Sequence, residues 1–445
     1  MTPSQTDPVT NELTAPRRAP QPGHVREVTT TAMDSFSCLA DACPDTCCRD
    51  WAVPLDRSDV DRMKTALSAI TTGADQLVHL VVVGRPSRHT DAVARLQMDE
   101  QGACPLLDEK QRCSVHANAG EQALATACSV FPRTSLAVED RVEVGGSLGC
   151  PEVARLVLLA DERPRLRPAS RPMLPRAYVG KTITAVAEDA YARHFSDVRE
   201  ALLNCFQLPV PLGTQLVVAA DLAARVADFF HAGTREFEGA RHAFAERRLR
   251  SELETTTNAA LHADLHRDLT ELKAPGEGVM GMVAGLVFGR RQLPHAPRFA
   301  ALLERILASA SVDCAPEEVG TAAALWKAYD RRREAWDRRA GQRVFQNYSQ
   351  HFLQRNPYTE SGTLLEHLYR LAVHLAAVRL LAVLHPEAHA ADEPDAMNRV
   401  AVDVVQTFTK AISHHPDYLE AALHRGAVAT GGFTFGQLVL LAKFV

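Results

Sequence analysis

Eight of the ten cysteines in this chain fall between Cys38 and Cys150. Thiolates at that density are soft ligands suited to zinc or to iron–sulfur clusters. The first group is Cys38-x4-Cys43-x3-Cys47-Cys48; the second is Cys104-x8-Cys113, followed by Cys128 and Cys150. Short spacing lets one loop present several sulfurs to one centre, and Pro44 and Asp45 favour the tight turn such a loop needs. Four thiolates complete a tetrahedral zinc site or a four-iron cluster, so eight serve two sites, or one site with spare thiols. Adjacent Cys47 and Cys48 point in different directions in most backbone conformations, which favours one each over both on one metal. All eight are candidate ligands, and the favoured single set is Cys38, Cys43, Cys47 and a distant partner, Cys128 or Cys150. Cys205 and Cys314 stand alone in helical patterns and read as small buried hydrophobes.

Metal is preferred to disulfides because the chain reads as cytoplasmic, where disulfides are rare. Residues 1–30 hold Asp7, Glu12 and Glu27 and no apolar signal-peptide core. No apolar run is expected to reach the ~18 residues that span a bilayer, so no membrane partner is expected. Lys+Arg number 49 against 54 Asp+Glu, a net charge of -5, which gives no reason to expect nucleic acid. With 445 residues, 46% of them hydrophobic, the chain can bury a large core and should form two or three domains.

Two familiar cofactor signatures are missing. Cys43-x3-Cys47 runs directly into Cys48, unlike the C-x3-C-x2-C of radical S-adenosylmethionine enzymes. No strand–GxGxG–helix unit is present: Val81-Val82-Val83-Gly84 lacks the second glycine, and Gly281 to Gly289 lies in a helical context that reads as close packing.

The elements that must position the thiols read as follows. Residues 1–33 are a Pro-rich disordered leader. Residues 34–165 form a cysteine-cluster metal-binding domain. Within it, a helix from Arg57 to Ile70 is capped by Asp56 or Ser58, and a small hairpin or meander lies between Ala94 and His116. A helix from Glu121 ends at Phe131 before Pro132, a short strand covers Arg141 to Leu148, and Pro151 opens a helix through Leu159. Arg163 to Pro175 is a linker. Residues 166–445 have helical period, clearest at Leu216–Phe230, Phe299–Ala310, Leu364–Leu384 and Val400–Ile412, with no strand alternation. The fold class is therefore mainly α: a small cysteine-rich α+β N-terminal domain packed on a larger all-α domain.

The signature Phe36-Ser37-Cys38, Cys43-Pro-Asp-Thr-Cys47-Cys48, Trp51 and Leu55-Asp56 resembles the N-terminal region of flagellin lysine N-methylases. So do Cys104-Pro-Leu-Leu-Asp108, Cys113-Ser-Val-His116, Cys128-Ser-Val-Phe-Pro-Arg133 and Leu148-Gly-Cys150-Pro-Glu152. Asn347-Tyr348 with Phe352, the Tyr369–Leu381 helix and Ile412-Ser-His414 extend the likeness to the C-terminal third, while residues 165–340 match poorly. The resemblance implies methyl transfer from S-adenosylmethionine to flagellin lysines, with an iron–sulfur cluster of the 4Fe–4S type. Zinc is the alternative metal. A non-enzymatic zinc- or iron-chelating protein, or a metal-folded interaction scaffold, is the alternative function.

A lysine amine must be neutral to attack a methyl group, yet its ordinary pKa is about 10.4, so a methylase needs desolvation or a base beside it. Near the signature, Asp45, Asp50, Trp51, Asp56 and Asp108 are candidates, each balanced against a role as cap, turn or core residue. Arg133 is a candidate for the catalytic region, and Arg133 and Glu152 are candidates for binding the cosubstrate; Arg133 could pair with the cosubstrate carboxylate or with Glu152, or stabilise an anionic cluster. His116 and His414 are possible ligands, though a lone histidine is more often structural.

Overall fold

The computed structural model describes residues 26–49, 53–68, 81–83, 92–175, 179–183, 193–232, 240–273, 276–290, 296–311, 320–340, 342–390, 394–430 and 433–445. Asp50, Trp51 and Cys314, the first 25 residues of the leader, and Gly84 lie outside them.

Among the described residues the strands are β1 (Arg26–Thr29), β2 (Pro54–Leu55), β3 (Val81–Val83), β4 (Ala94–Leu96), β5 (Arg133–Val138), β6 (Arg141–Gly146), β7 (Arg167–Pro168) and β8 (Lys181–Ile183). They form a five-stranded sheet in the order β7-β1-β6-β5-β8 and a three-stranded sheet in the order β2-β4-β3. The β5–β6 hairpin is the backbone of the larger sheet, pairing Arg133 with Gly146 through to Val138 with Arg141. Its β-branched residues suit a pleated surface buried on both sides. One face packs on the Pro151–Leu158 helix, so closely that a Cβ on Gly146 would meet Met33 Sδ at 2.4 Å and Val153 at 2.8 Å. The other face carries buried Glu143, held by both guanidinium nitrogens of Arg199 at 2.6 and 2.7 Å on the Phe195–Cys205 helix.

The C-terminal part is a helical body around Leu364–Leu384. Every residue from Leu371 to Leu384 in this helix is buried. A helix apolar on all sides must be enclosed, and here the Leu212–Ala232, Gly276–Phe288, Pro297–Ala310, Ala322–Ala340, Arg343–Arg355, Pro394–Phe408 and Phe435–Phe444 helices surround it. This corrects the expectation that no apolar run would be long enough to cross a membrane. Leu364–Leu384 passes by length and composition, with 94% of its most apolar window buried in the protein. Its buried Arg379 is satisfied by Asp337 at 2.7 and 2.8 Å and by the Tyr329 hydroxyl at 3.0 Å. The last helix begins at a capping box. Thr434 Oγ1 accepts from the Gln437 N–H, and the Gln437 side chain accepts from the Thr434 N–H. Thr434→Ala should cost about 1 kcal/mol, read as a lower urea midpoint with unchanged slope.

The chain is mainly α with a small α+β N-terminal part, as its sequence suggests. Helix Arg57–Ser68 is capped by Asp56, whose carboxylate accepts from the Asp59 N–H at 2.7 Å, and Pro151 sits in the first turn of its helix. Other expectations need correction. Residues 26–34, assigned to the leader apart from Asp34, form β1 and a short helix, and β1 runs parallel to β6. The stretch read as a linker contains β7, and β8 is a strand inside the region read as wholly helical. Packing also divides the chain earlier than residue 165. A small core of Val53, Leu55, Met63, Leu67, Leu96, Leu106 and Val115 belongs to the cysteine unit, whereas the β5–β6 hairpin and the Pro151–Leu158 helix share the core of the helical body. Local pattern misses these strands because their partners are remote: Thr29 Oγ1 donates to Val144 O across 115 positions.

Candidate metal centre and the cavities beside it

Asp45 determines where the first cysteine loop goes. It sits between Cys43 and Cys47, is 9% exposed, and receives three donors from the helical body. Gln406 Nε2 donates to Oδ2 at 2.6 Å, Lys410 Nζ lies 2.9 Å from Oδ1, and Arg298 lies 3.2 Å from Oδ2. Gln406 Nε2 also donates to Gly149 O at 3.0 Å, which draws the turn before Cys150 to the same place. The second group is placed from the small unit. Cys104 N–H donates to Cys48 O at 2.8 Å, and Leu107 bridges Cys113. Asp59 accepts from both Thr126 N–H and Thr126 Oγ1 at 2.8 Å, fixing the Thr126–Val130 helix that carries Cys128.

The result is one cavity of about 670 Å³ lined by all eight cysteines of the cluster, Cys38, Cys43, Cys47, Cys48, Cys104, Cys113, Cys128 and Cys150. Within it the sulfurs have distinct neighbours. Cys128 lies within electrostatic reach of Cys48, Cys104 and Cys113, and Cys150 within reach of Cys43 and Cys38; Cys47 is hydrogen-bonded to Cys48 and within reach of Cys128 and Cys38. Cys48, Cys104, Cys113 and Cys128 pack with the small core, and Cys150 with the large one.

Burial pushes these thiols up: Cys104 to about 12, Cys150 to about 11, and Cys43, Cys113 and Cys128 in the same direction. Cys48 moves the other way, downward, because the Cys47 thiol donates a hydrogen bond to it; the same bond and burial raise Cys47. Backbone N–H groups of Glu152 and Val153 reach the Cys150 sulfur, and those of Val115 and His116 reach Cys113, so each thiolate is favoured by the donors it meets. The donor set therefore fits a thiolate-bound metal or cluster. Among the described residues, no three of the ligand-type side chains are drawn to the separations of a single chelated ion, so the sulfurs frame a space rather than clasp a point.

Two further cavities adjoin the thiols. One, of about 520 Å³, shares Cys47, Phe131 and Arg133 with the cysteine cavity and continues to Lys410, His414 and Arg355. Arg133 Nε is buried there without a hydrogen-bond partner, and its guanidinium lies over the Phe36 ring at 5.7 Å. The next, of about 480 Å³, meets the second at Arg355 and Ser413 and contains Tyr348, His351, His367 and His374.

The remaining sequence candidates are mostly occupied elsewhere. Asp56 is a helix cap, and Asp108 organises a turn by accepting from the N–H groups of Lys110 and Arg112. Glu152 does not pair with Arg133; Arg155 holds it at 2.7 and 2.8 Å one turn along their shared helix. His116 is exposed, and His414 Nε2 bonds Ser147 Oγ at 2.8 Å. Cys205 is buried and donates to Ala201 O. Sequence reasoning missed Arg355, His351, His367 and His374. Their signal is a polar ring or charge repeatedly placed on helices that are otherwise buried, such as His367 and His374 in Leu364–Leu384.

Thiols gathered beside a helical body place the chain among proteins with a zinc- or iron-chelating domain, and a family model of that description matches residues 37–145. A second model, the FliB lysine N-methylase C-terminal domain, matches residues 211–441 and so includes most of the stretch that read as poorly matched. That match covers just over half of the chain, which belongs to the FliB lysine N-methylase family. Curated relatives include the lysine-N-methylases of Salmonella choleraesuis (33% identical) and Salmonella typhimurium (32%), each over 138 residues, or 30% of this chain and 33% of the relative. The chain thus matches about a third of the length of those two proteins. The flagellar biosynthetic protein FliU of Salmonella muenchen is 32% identical over 138 residues, or 30% of this chain and 79% of that protein. No solved structure matches significantly.

Proposed function

We propose that this chain is a cytoplasmic protein-lysine N-methyltransferase that takes its methyl group from S-adenosylmethionine, modifies lysine side chains of flagellin, and carries thiolate-bound iron–sulfur clusters of the 4Fe–4S type, with zinc as the alternative metal. The observation that carries it is the convergence of all eight cysteines on one cavity, beside a helical body matched by the lysine N-methylase model. The neighbour pattern groups Cys38, Cys43 and Cys150 apart from Cys48, Cys104, Cys113 and Cys128, with Cys47 touching both groups; assigning Cys47 to the first gives two four-sulfur sets. Cys47 and Cys48 then serve one each. A metal bound there would neutralise thiolates that burial otherwise keeps protonated, tie the loop to remote segments, and, as iron–sulfur, supply a redox-active centre.

The cosubstrate fits the cavity that shares Cys47 and Arg133 with the thiols. Arg133 has an unmet donor there, which suits the carboxylate of the amino-acid part. In the transfer, the lysine nitrogen's lone pair forms the N–C bond to the methyl carbon as the C–S bond breaks. The sulfonium leaves as a neutral thioether, and the methylated ammonium releases one proton.

Metal analysis of anaerobically purified protein tests the centre. Two clusters give about eight iron and eight sulfide per chain with brown colour; two zinc sites give about two zinc and no colour. Cys150→Ser or Cys128→Ser should each remove about half of the metal, and Cys205→Ser none. Loss of all metal from either single change would instead point to one shared centre. Incubation with flagellin and methyl-labelled S-adenosylmethionine tests the transfer, and no label on flagellin from fully metallated protein would sink the methylase reading.

A further inference from the structure

The cavity that meets the proposed cosubstrate space at Arg355 and Ser413 contains three buried histidines and a buried tyrosine. His351, His367 and His374 are 8%, 3% and 4% exposed, and Tyr348 is 3% exposed. Two of the imidazoles keep an unmet nitrogen. His351 donates to the Gly146 carbonyl, which leaves its Nε2 as a bare acceptor without a partner. His374 Nδ1 bonds the Tyr348 hydroxyl at 2.9 Å, and its Nε2 also has no partner. A buried polar nitrogen left unsatisfied costs about 1–3 kcal/mol, so two facing one cavity call for a hydrogen-bonding ligand. The walls are otherwise suited to a hydrocarbon stem, with Leu148, Phe352 and Leu419 among the lining residues.

The charges specify which ligand. Arg355 lines the cavity where it meets its neighbour, without an ion pair among the described residues, so a second cation is disfavoured there. At the rim Glu360 is paired with Lys181 at 2.6 Å and Glu420 with Arg370, so these carboxylates leave no excess negative charge to hold an ammonium. With Lys181, Arg355 and Arg370 lining the cavity against Glu360 and Glu420, a long alkyl chain ending in nitrogen is favoured there as a neutral amine, with its lone pair free. Desolvation beside another cation is a general way to lower an amine pKa.

We propose that this histidine cavity is the acceptor site for the lysine side chain, with His351 Nε2 accepting a hydrogen bond from its neutral amine and His374 Nε2 accepting another in the tautomer whose Nδ1–H donates to the Tyr348 hydroxyl. The inference rests on the methylase reading for its chemistry, because Arg355 and Ser413 bring the amine to the cavity assigned to the methyl donor. His351 and His374 orient the nitrogen, and Arg355 disfavours its protonated form. The proton of the methylated product leaves through the mouth beside Glu360.

The test uses metallated full-length protein labelled with 15N at histidine, titrated with n-butylamine at a pH where the amine is partly neutral. The ring resonances of His351 and His374 should shift with n-butylamine and stay unmoved with n-butyltrimethylammonium, which has no N–H to donate. His351→Phe and His374→Phe keep most of the volume but remove an acceptor, and each should weaken n-butylamine binding about tenfold. Tyr348→Phe, a smaller change, should shift the His374 resonance and lower amine affinity less, which guards against loss of folding in the histidine variants. If n-butylamine moves neither ring while flagellin is still labelled, the acceptor site is elsewhere and the proposal fails with the methylase reading intact. Ring shifts without any label on flagellin would support the amine site and overturn the methylase reading instead.

Discussion

Replacing Asp45 with alanine is expected to destabilise the chain by about 3 kcal/mol and to release metal from the thiols on either side of it. Asp45 is buried, and the change leaves Lys410, whose side chain is 19% exposed, without its carboxylate. Breaking a fully buried pair costs about 3–5 kcal/mol. The lower end applies because Arg298 is 41% exposed and keeps Asp403 at 2.7 Å. The second effect follows from Gln406, which joins Asp45 to Gly149 and so holds the Cys43–Cys47 loop near Cys150. Urea titration reads the stability, and iron or zinc content reads the metal. Asp45→Asn should fall between the two proteins, since the amide retains one acceptor for Gln406. A comparison with Glu143→Gln separates the causes. That change also breaks a buried pair, with Arg199, but lies away from the cysteine cavity, so it should lower stability while the metal content holds. Metal retained in Asp45→Ala would show that the loop does not depend on this clamp.

What could be read in advance follows from how local each signal is. The thiol cluster was visible because ligand chemistry is written in residue type and spacing. The Asp56 cap and the Leu364–Leu384 helix were visible because caps and apolar period act within a few residues. Spacing alone left Cys128 and Cys150 as equal partners for Cys38, Cys43 and Cys47. The proposed choice of Cys150 rests on contacts far apart in sequence, such as Gln406 with Asp45 across 361 positions. Strands β1 and β8 escaped notice for the same reason: each is short and runs parallel to a strand supplied from elsewhere in the chain. The histidine cavity was hidden for another reason. His351, His367 and His374 occupy core-facing positions where a polar residue has no local signature, and only the packed structure brings their rings to one space.

Those histidines also predict acid unfolding. Burial, with help from nearby cations, pushes all three down to about 3: Arg355 lies near His351, Arg370 and Lys181 near His367, and Arg370 and Arg355 near His374. An unfolded histidine titrates near 6.5. Above that pH both states hold the rings neutral, and stability does not depend on them. Between about 6.5 and 3 the unfolded chain takes up protons that the folded chain refuses, so stability falls as pH falls. Each ring contributes up to ~1.4 kcal/mol per pH unit, and the three together about 4 kcal/mol per unit at the steepest. Against a typical total of about 5–15 kcal/mol, the chain should lose its tertiary packing by about pH 4. Near-ultraviolet circular dichroism against pH follows the loss, and urea midpoints at pH 7, 6 and 5 give the slope directly. Thiolate protonation and metal release also belong to this pH range, so the histidine part is isolated by a variant. Burial pushes His414 down to about 3 as well, so His367→Phe removes one of four such rings and should reduce the histidine part of the slope by about a quarter, moving the acid midpoint to lower pH. An unchanged slope would mean that the ring is already charged, or already solvated, in the folded protein.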